Sequence, residues 1–294
     1  MKSVGVVGCG LMGQGLAKNL LKNGYTVFVC DINEQAVQNL VDIGAIKTKN
    51  VKALAQEVDF MILSLPSPKI IKQLMLDVEK GAFNAMQPGS SILDMSTNDV
   101  ELTRELHEYA KVHKIEFFDC PLSGGPAGAE DGTLTIMVGG NKKAFPSILP
   151  VLRAVGKKIE YVGSSGSGQT VKLCNNMVVG GVITLLSEAL LTGEKAGVSK
   201  EKMASILQKG SGQTRVMDVF GSNILEQNFE NIKFSLSHLK KDINLYQKLA
   251  EHHQIPTLIS QPVQQLFSTA YNKGKGQLDS TAVYEIFTEL EIAP

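Results

Sequence analysis

The apolar run Ser3–Gly8 leads directly into Gly8-Cys9-Gly10-Leu11-Met12-Gly13, and Leu11–Asn23 then carries the apolar spacing of a helix before stopping at Gly24. No other feature constrains the fold as much. A strand feeding a G-x-G-x-x-G turn at a helix start is the phosphate-binding entry of a dinucleotide domain. The first Gly permits the tight turn, the second lets backbone approach the pyrophosphate, and the third allows close helix–strand packing. The free N–H groups at the helix start then face the anion. A second strand, Tyr25–Cys30, ends at Asp31, 18 positions beyond Gly13. The acidic residue that binds the adenosine ribose is expected at about 20 positions. A carboxylate there accepts hydrogen bonds from two ribose hydroxyls and repels a 2′-phosphate, and no Arg follows to hold one. NAD is therefore the expected cofactor and NADP the less favoured one. A flavin fits the same loop, and the bland alternative makes Asp31 a helix N-cap beside a turn that binds nothing.

Further strands are expected at Val58–Leu65, Ser90–Asp94, Ile115–Asp119, Leu134–Val138 and Ile159–Val162, with helices at Glu34–Ile43, Val100–His113 and Lys142–Ala154. Such alternation predicts a mostly parallel, helix-covered sheet. The pattern changes at Gly163-Ser164-Ser165-Gly166-Ser167-Gly168. Beyond it, helical periodicity runs to the end, broken at Gly197, Gly210–Gly212, Pro256 and Gly274–Gly276. The expected organisation is an α/β Rossmann domain over 1–163 followed by an all-α domain over 164–294.

Lys+Arg and Asp+Glu both number 29. This balance leaves no electrostatic footprint for nucleic acid or an anionic membrane. No apolar stretch reads as a bilayer span of about 18–20 residues; the most apolar one, Val178–Leu191, includes Gly180, Gly181 and Glu188 and reads as a core helix. Cys9, Cys30, Cys120 and Cys174 are scattered, which predicts reduced thiols, a cytoplasmic protein and no metal. All four read as small packing residues. His252-His253 reads as helix surface, since adjacent helical residues point about 100° apart.

Three later segments carry a resemblance. They are Asp119-Cys120-Pro121-Leu122-Ser123-Gly124-Gly125 with Gly132–Gly140, then Gly166-Ser167-Gly168-Gln169-Thr170-Val171-Lys172-Leu173-Cys174-Asn175-Asn176, and Lys241-Asp242-Ile243-Asn244-Leu245. With the opening fingerprint, their order and spacing resemble the β-hydroxyacid dehydrogenase family, which includes 3-hydroxyisobutyrate dehydrogenase and tartronate semialdehyde reductase. The resemblance implies that Lys172 is the catalytic lysine and Asn176 the amide that orients substrate. It implies that Ser123, Gly124 and Gly125 bind the substrate carboxylate and that Lys241 lies near substrate and nicotinamide. Gly8, Gly10, Leu11, Met12, Gly13, Asp31, Leu65, Pro66 and Thr97 are the implied cofactor contacts. A homo-oligomer, dimer or tetramer, formed through the helical domain is also expected.

The chemistry agrees with those residue types. Hydride transfer to a carbonyl builds negative charge on oxygen, and a proton must arrive there; the reverse reaction needs a base. A lysine does both when burial brings its pKa toward neutrality. Lys172 and Asn176 are at i and i+4 on an expected helix and share a face; the bland reading is a surface Lys and an ordinary polar position. Two glycines at a strand end expose N–H groups suited to a carboxylate. The cofactor motifs precede Gly163 while Lys172, Asn176 and Lys241 follow it, so neither half alone holds both hydride and proton donors. The expected reaction interconverts a small β-hydroxyacid and its semialdehyde, with 3-hydroxyisobutyrate and tartronate semialdehyde fitting the loop about equally. Among rivals, a 6-phosphogluconate dehydrogenase needs a larger helical domain and an imine reductase usually lacks the lysine. A non-catalytic nicotinamide-binding module is the alternative of another class. The turn Gly210–Thr214 and the segment Phe234–His238 are expected to line the substrate pocket.

Overall fold

The computed structural model describes residues 2–77, 79 and 81–290. The chain divides into two compact units, residues 1–172 and 173–294.

The first unit is built on one sheet. Strands β1 (Ser3–Val7), β2 (Thr26–Cys30), β3 (Ile46–Lys47), β4 (Phe60–Leu63), β5 (Ser91–Asp94) and β6 (Glu116–Asp119) are parallel, in the spatial order β3-β2-β1-β4-β5-β6. That is the doubly wound order of dinucleotide-binding sheets. The sheet continues through β8 (Leu134–Gly139), which runs antiparallel to β6 and to the short β7 (Leu122–Ser123). It ends with β9 (Gly156–Gly163), parallel to β8.

Alternation along the strands feeds two cores. On β1, Val4 and Val6 pack with Leu16 and Leu20 of α1 (Leu11–Lys22), Leu40 of α2 (Glu34–Val41) and Leu152 of α7 (Phe145–Val155). Val7 faces the other way, toward Leu54 of α3 (Val51–Glu57), Ile71 of α4 (Pro68–Leu76) and Leu106 of α5 (Val100–Val112). Period-2 side chains on a sheet covered on both faces explain why these strands are apolar throughout.

Five elements of the first unit were not read from the pattern: α3, α4, β3, β7 and α6 (Gly125–Glu130). β3 is an exposed two-residue edge strand, β7 exists through its pairing with β8, and α6 is a short helix. The side chain of Asn19, on α1, holds α6 in place by donating to the carbonyls of Ala129 (2.8 Å) and Glu130 (3.0 Å).

The long helix α8 (Ser167–Lys195) begins directly after the Gly/Ser run, and the division between the units falls inside it. The glycines of that run serve as a helix entry. Gly166 takes a left-handed φ of +86°, and its N–H donates to a buried carboxylate of the sheet. By length and composition alone α8 could cross a membrane, contrary to the reading that no stretch of the chain could. Half of its apolar window is buried, and Ile183, Leu186 and Leu190 lie in the core of the second unit, so its hydropathy is that of a core helix.

The second unit continues with α9 (Lys200–Leu207), α10 (Arg215–Glu226), α11 (Leu236–His252), α12 (Ser260–Asn272), two 3₁₀ turns (Lys275–Gln277 and Ser280–Val283) and α13 (Tyr284–Glu289). Leu236, Ile243, Phe267 and Tyr284 join the α8 side chains in its core. Burial of each contributes about 1.5–3 kcal/mol. Buried Asp279 fixes the entry to α11 by accepting the N–H groups of Lys233 (2.9 Å) and Phe234 (3.0 Å).

Candidate active site

Both fingerprint positions that need glycine do so because of backbone. A Cβ on Gly8, whose φ is +94°, would come within 2.2 Å of the Ser64 carbonyl oxygen, and one on Gly13 within 1.8 Å of the Gly8 oxygen. Gly10 differs: a Cβ there would meet nothing within 4 Å. Gly10 also begins α1 with no side-chain cap, so no N-cap side chain takes up the first-turn N–H groups, which include those of Leu11 and Met12. An uncapped helix start beside an unfilled approach has the donor set that a pyrophosphate requires.

Asp31 is not the cap of α2. That role falls to Asn33, whose side chain accepts from the Ala36 N–H at 3.1 Å. Asp31 instead braces the loop. Its Oδ2 accepts the Cys9 N–H at 2.5 Å and its Oδ1 the Asn33 N–H at 2.8 Å. The neighbouring Cys9 thiol is pushed up to about 12, by burial first and then by the negative charge of Asp31. Burial likewise raises Cys30 and, well above the usual thiol range, Cys120. All four cysteines are free thiols, but Cys174 is exposed rather than packed, because it falls on the outward face of α8. Among the described residues, no group of three or more His, Cys, Asp or Glu could hold a metal ion.

The loops after β4 and β5 lie at the same carboxyl edge of the sheet. Leu65 is held there by its N–H, which donates to Ser96 Oγ at 2.9 Å, while Pro66 is exposed. Thr97 stays partly exposed between the buried residues Ser96 and Asn98.

A buried polar chain under these loops escaped the sequence reading. Asp94, at the end of β5, accepts the Ser96 N–H at 3.1 Å and the Asn98 side-chain amide at 3.0 Å. Gln169, in the first turn of α8, accepts the Asn98 N–H on Oε1 at 3.0 Å and donates from Nε2 to the Ser96 carbonyl at 2.9 Å. Asp119, at the end of β6, accepts the N–H groups of Gly166 and Gln169, each at 2.9 Å. Gly168 is required here, since a Cβ would stand 2.6 Å from the Met137 carbonyl oxygen. Burial raises both carboxyls above the usual range, Asp94 to about 6, where the nearby Asp119 charge adds to the rise. The bonds that tie Asp119, Ser96 and Asn98 to the entry of α8 join groups 47 to 73 positions apart, which is why no local pattern exposes the chain.

Beyond that first turn, Lys172 points its Nζ at the Leu122 carbonyl, 2.6 Å away. Leu122 pairs in β7 and is followed by Ser123, Gly124 and Gly125, with both glycines at positive φ (131° and 63°) and Gly124 exposed. Lys172 and the Ser123–Gly125 loop are thus neighbours within the first unit.

In the second unit, Asn176 donates from Nδ2 to Asp242 Oδ2 at 2.6 Å and accepts from Asn175 Nδ2 at 3.0 Å. Lys241 Nζ lies 3.0 Å from the other Asp242 oxygen. Buried Asp242 therefore orients both residues, a role the sequence reading did not assign. Beside them is a groove of about 350 Å³ lined by Ser237, Lys240, Lys241, Asn244, Leu245 and Tyr271, with Lys240 over the Tyr271 ring at 4.3 Å. The Gly210–Thr214 turn does not line this groove.

The sheet order, the phosphate loop and the basic side chain beside a glycine turn define a nicotinamide-dependent oxidoreductase class. Residues 3–163 match the model described as the NAD binding domain of 6-phosphogluconate dehydrogenase, and residues 166–287 that described as NAD-binding of NADP-dependent 3-hydroxyisobutyrate dehydrogenase. The 2-(hydroxymethyl)glutarate dehydrogenase of Eubacterium barkeri is 33% identical over 98% of this chain and 95% of its own. The 2-hydroxy-3-oxopropionate reductase of Escherichia coli is 30% identical over 96% of each. The crystal structure of a 3-hydroxyisobutyrate dehydrogenase from Salmonella typhimurium superposes with a TM-score of 0.88 at 27% identity, covering 98% of this chain and 100% of that one. The chain belongs to the β-hydroxyacid dehydrogenase family and carries that family's NAD(P)-binding domain.

Two outcomes test this geometry. Gly10→Ala should fold with an unchanged Tm and lose at least about tenfold in NADH affinity, whereas Gly13→Ala should lose more than about 2 kcal/mol of stability; thermal unfolding and NADH fluorescence titration read both. For Asp94, a folded-state pKa raised from 3.8 to about 6 means stability that is full at low pH and lost as pH rises through about 6. The stability advantage of wild type over Asp94→Asn should therefore shrink between about pH 3.8 and about pH 6, by at most about 3 kcal/mol. A flat difference in urea unfolding across that window would contradict it.

Proposed function

We propose that the protein interconverts a small β-hydroxyacid and its semialdehyde, in the manner of 3-hydroxyisobutyrate dehydrogenase, with NAD as the preferred cofactor. The observation that carries this reading is the Lys172 ammonium 2.6 Å from the Leu122 carbonyl, directly before the open Ser123-Gly124-Gly125 turn. When bound, the nicotinamide supplies or accepts the hydride. Gly8, Gly10, Leu11, Met12 and Gly13 hold the pyrophosphate, and Leu65, Pro66 and Thr97 border the cofactor. Ser123, Gly124 and Gly125 take the substrate carboxylate on hydroxyl and backbone N–H donors. This leaves the carbon beyond the α-carbon nearest Lys172, which gives its proton to the forming alkoxide in reduction and takes the hydroxyl proton in oxidation. Asn176, its amide fixed by Asp242 and Asn175, orients the substrate oxygen, and Lys241 adds positive charge for an anionic ligand.

The NAD preference rests on Asp31. Each of its oxygens holds one backbone N–H and retains a lone pair for a ribose hydroxyl. Its charge opposes a 2′-phosphate, and Glu34 is close in sequence. The reading includes a cytoplasmic homo-oligomer that acts on a small carboxylate and binds neither nucleic acid nor membrane. An exposed stripe on α8, Cys174, Val178 and Leu185, supports assembly through the helical unit. Tartronate semialdehyde reduction is the alternative at the same site. A non-catalytic nicotinamide-binding module is the alternative of another class.

A panel of 3-hydroxyisobutyrate, 2-(hydroxymethyl)glutarate and tartronate semialdehyde, assayed with NAD(H) and NADP(H), decides among these. At least one acid should turn over, with kcat/KM higher for NAD(H); a clear NADP(H) preference would show that Asp31 does not reach the ribose. Lys172→Ala should lose at least about a hundredfold in rate while NADH affinity stays within a few-fold. Cofactor binding without turnover on any of the acids would favour the module.

A further inference from the structure

Gln169 is buried and lies three positions before Lys172. Its amide is used at both ends, Nε2 on the Ser96 carbonyl and Oε1 on the Asn98 N–H, so it spans the two residues that flank Thr97. Its backbone N–H is held in turn by Asp119. Ser96 passes the constraint on, because its hydroxyl accepts the Leu65 N–H. At the other end, the helix turn that starts at Gln169 carries Lys172 to the Leu122 carbonyl. One neutral side chain therefore lies between the Leu65 and Thr97 loops on one side and the lysine with its glycine loop on the other.

We infer that Gln169 is a positioning residue that sets the distance between the cofactor-side loops and Lys172, acting through Ser96, Asn98 and the first turn of α8 without touching substrate or cofactor. This rests on the reading of Lys172 as proton donor. The amide chemistry is specific. Ser96 presents an acceptor and Asn98 a donor, so the site needs one donor and one acceptor on the same planar group. Methionine fills the volume and makes neither bond. A glutamate reproduces both bonds when protonated, but when ionised it sets an oxygen anion against the Ser96 carbonyl. The groups facing it are the buried carboxyls Asp119, on its own N–H, and Asp94, through Asn98, and both oppose a further negative charge.

The test uses the full chain, NAD(H) and whichever acid of the panel turns over fastest. Gln169→Met should lower kcat by about ten- to hundredfold, the scale of a small misplacement of reacting groups, while the Kd for NADH moves less than about threefold. Gln169→Glu should approach wild-type kcat near about pH 6 and fall away from it toward about pH 8, as the introduced carboxyl ionises. A merely structural role would lower Tm in both variants and leave kcat and the ratio of pH profiles unchanged. Wild-type kcat in Gln169→Met, with Lys172→Ala inactive, overturns this inference alone. Should Gln169→Met fail to fold, a Gln169→Glu profile parallel to wild type overturns it equally. Near-normal turnover by Lys172→Ala removes the reading of Lys172 and this inference together.

Discussion

The candidate site depends on a buried carboxylate whose partners are backbone N–H groups. Asp119 ends the last parallel strand of the doubly wound half and accepts two backbone N–H groups from the entry to α8. A helix start leaves such donors without intrahelical partners, and a buried carboxylate is costly unless it is hydrogen-bonded. Each solves the other's difficulty. The Gly/Ser run could have been a tether, but here it is backbone shaped to bring N–H groups onto one side chain. The glycine at 168 is there because the strand carbonyls approach too closely for anything larger.

A parallel arrangement governs the opposite end of the fingerprint. Asp31 closes the glycine loop by accepting the Cys9 N–H, so the residue to which the proposed NAD preference is assigned also shapes that loop. The bland reading of that aspartate as a helix N-cap does not hold. Asn33 has the capping duty, which leaves Asp31 to brace the loop.

Much of this was legible in the sequence where periodicity and short-range chemistry coincide. The strand, turn and helix around Gly8–Gly13 and the shift to helix beyond Gly163 both read directly from apolar spacing. The antiparallel excursion of β7 and β8 did not, because Leu122-Ser123 is too short to show a period and exists through a partner more than ten residues away. Polar residues fared worst. Gln169 stood in a quoted motif and Asp242 beside a named lysine, yet neither had an assigned task, since their partners are distant backbone and side-chain groups. Lys172 was found by resemblance, and its contact with Leu122 could not have been read from spacing at all.

The framework around Lys172 is made of buried N–H donors, carbonyls, an amide and two carboxylates, whereas most of the ion pairs, such as Lys18 with Glu130 and Lys72 with Glu105, lie at the exposed surface. Dissolved electrolyte screens the second kind and hardly reaches the first. The internal geometry of this frame is accordingly insulated from ionic strength: brine would loosen the periphery of the first unit well before it altered the placement of the lysine.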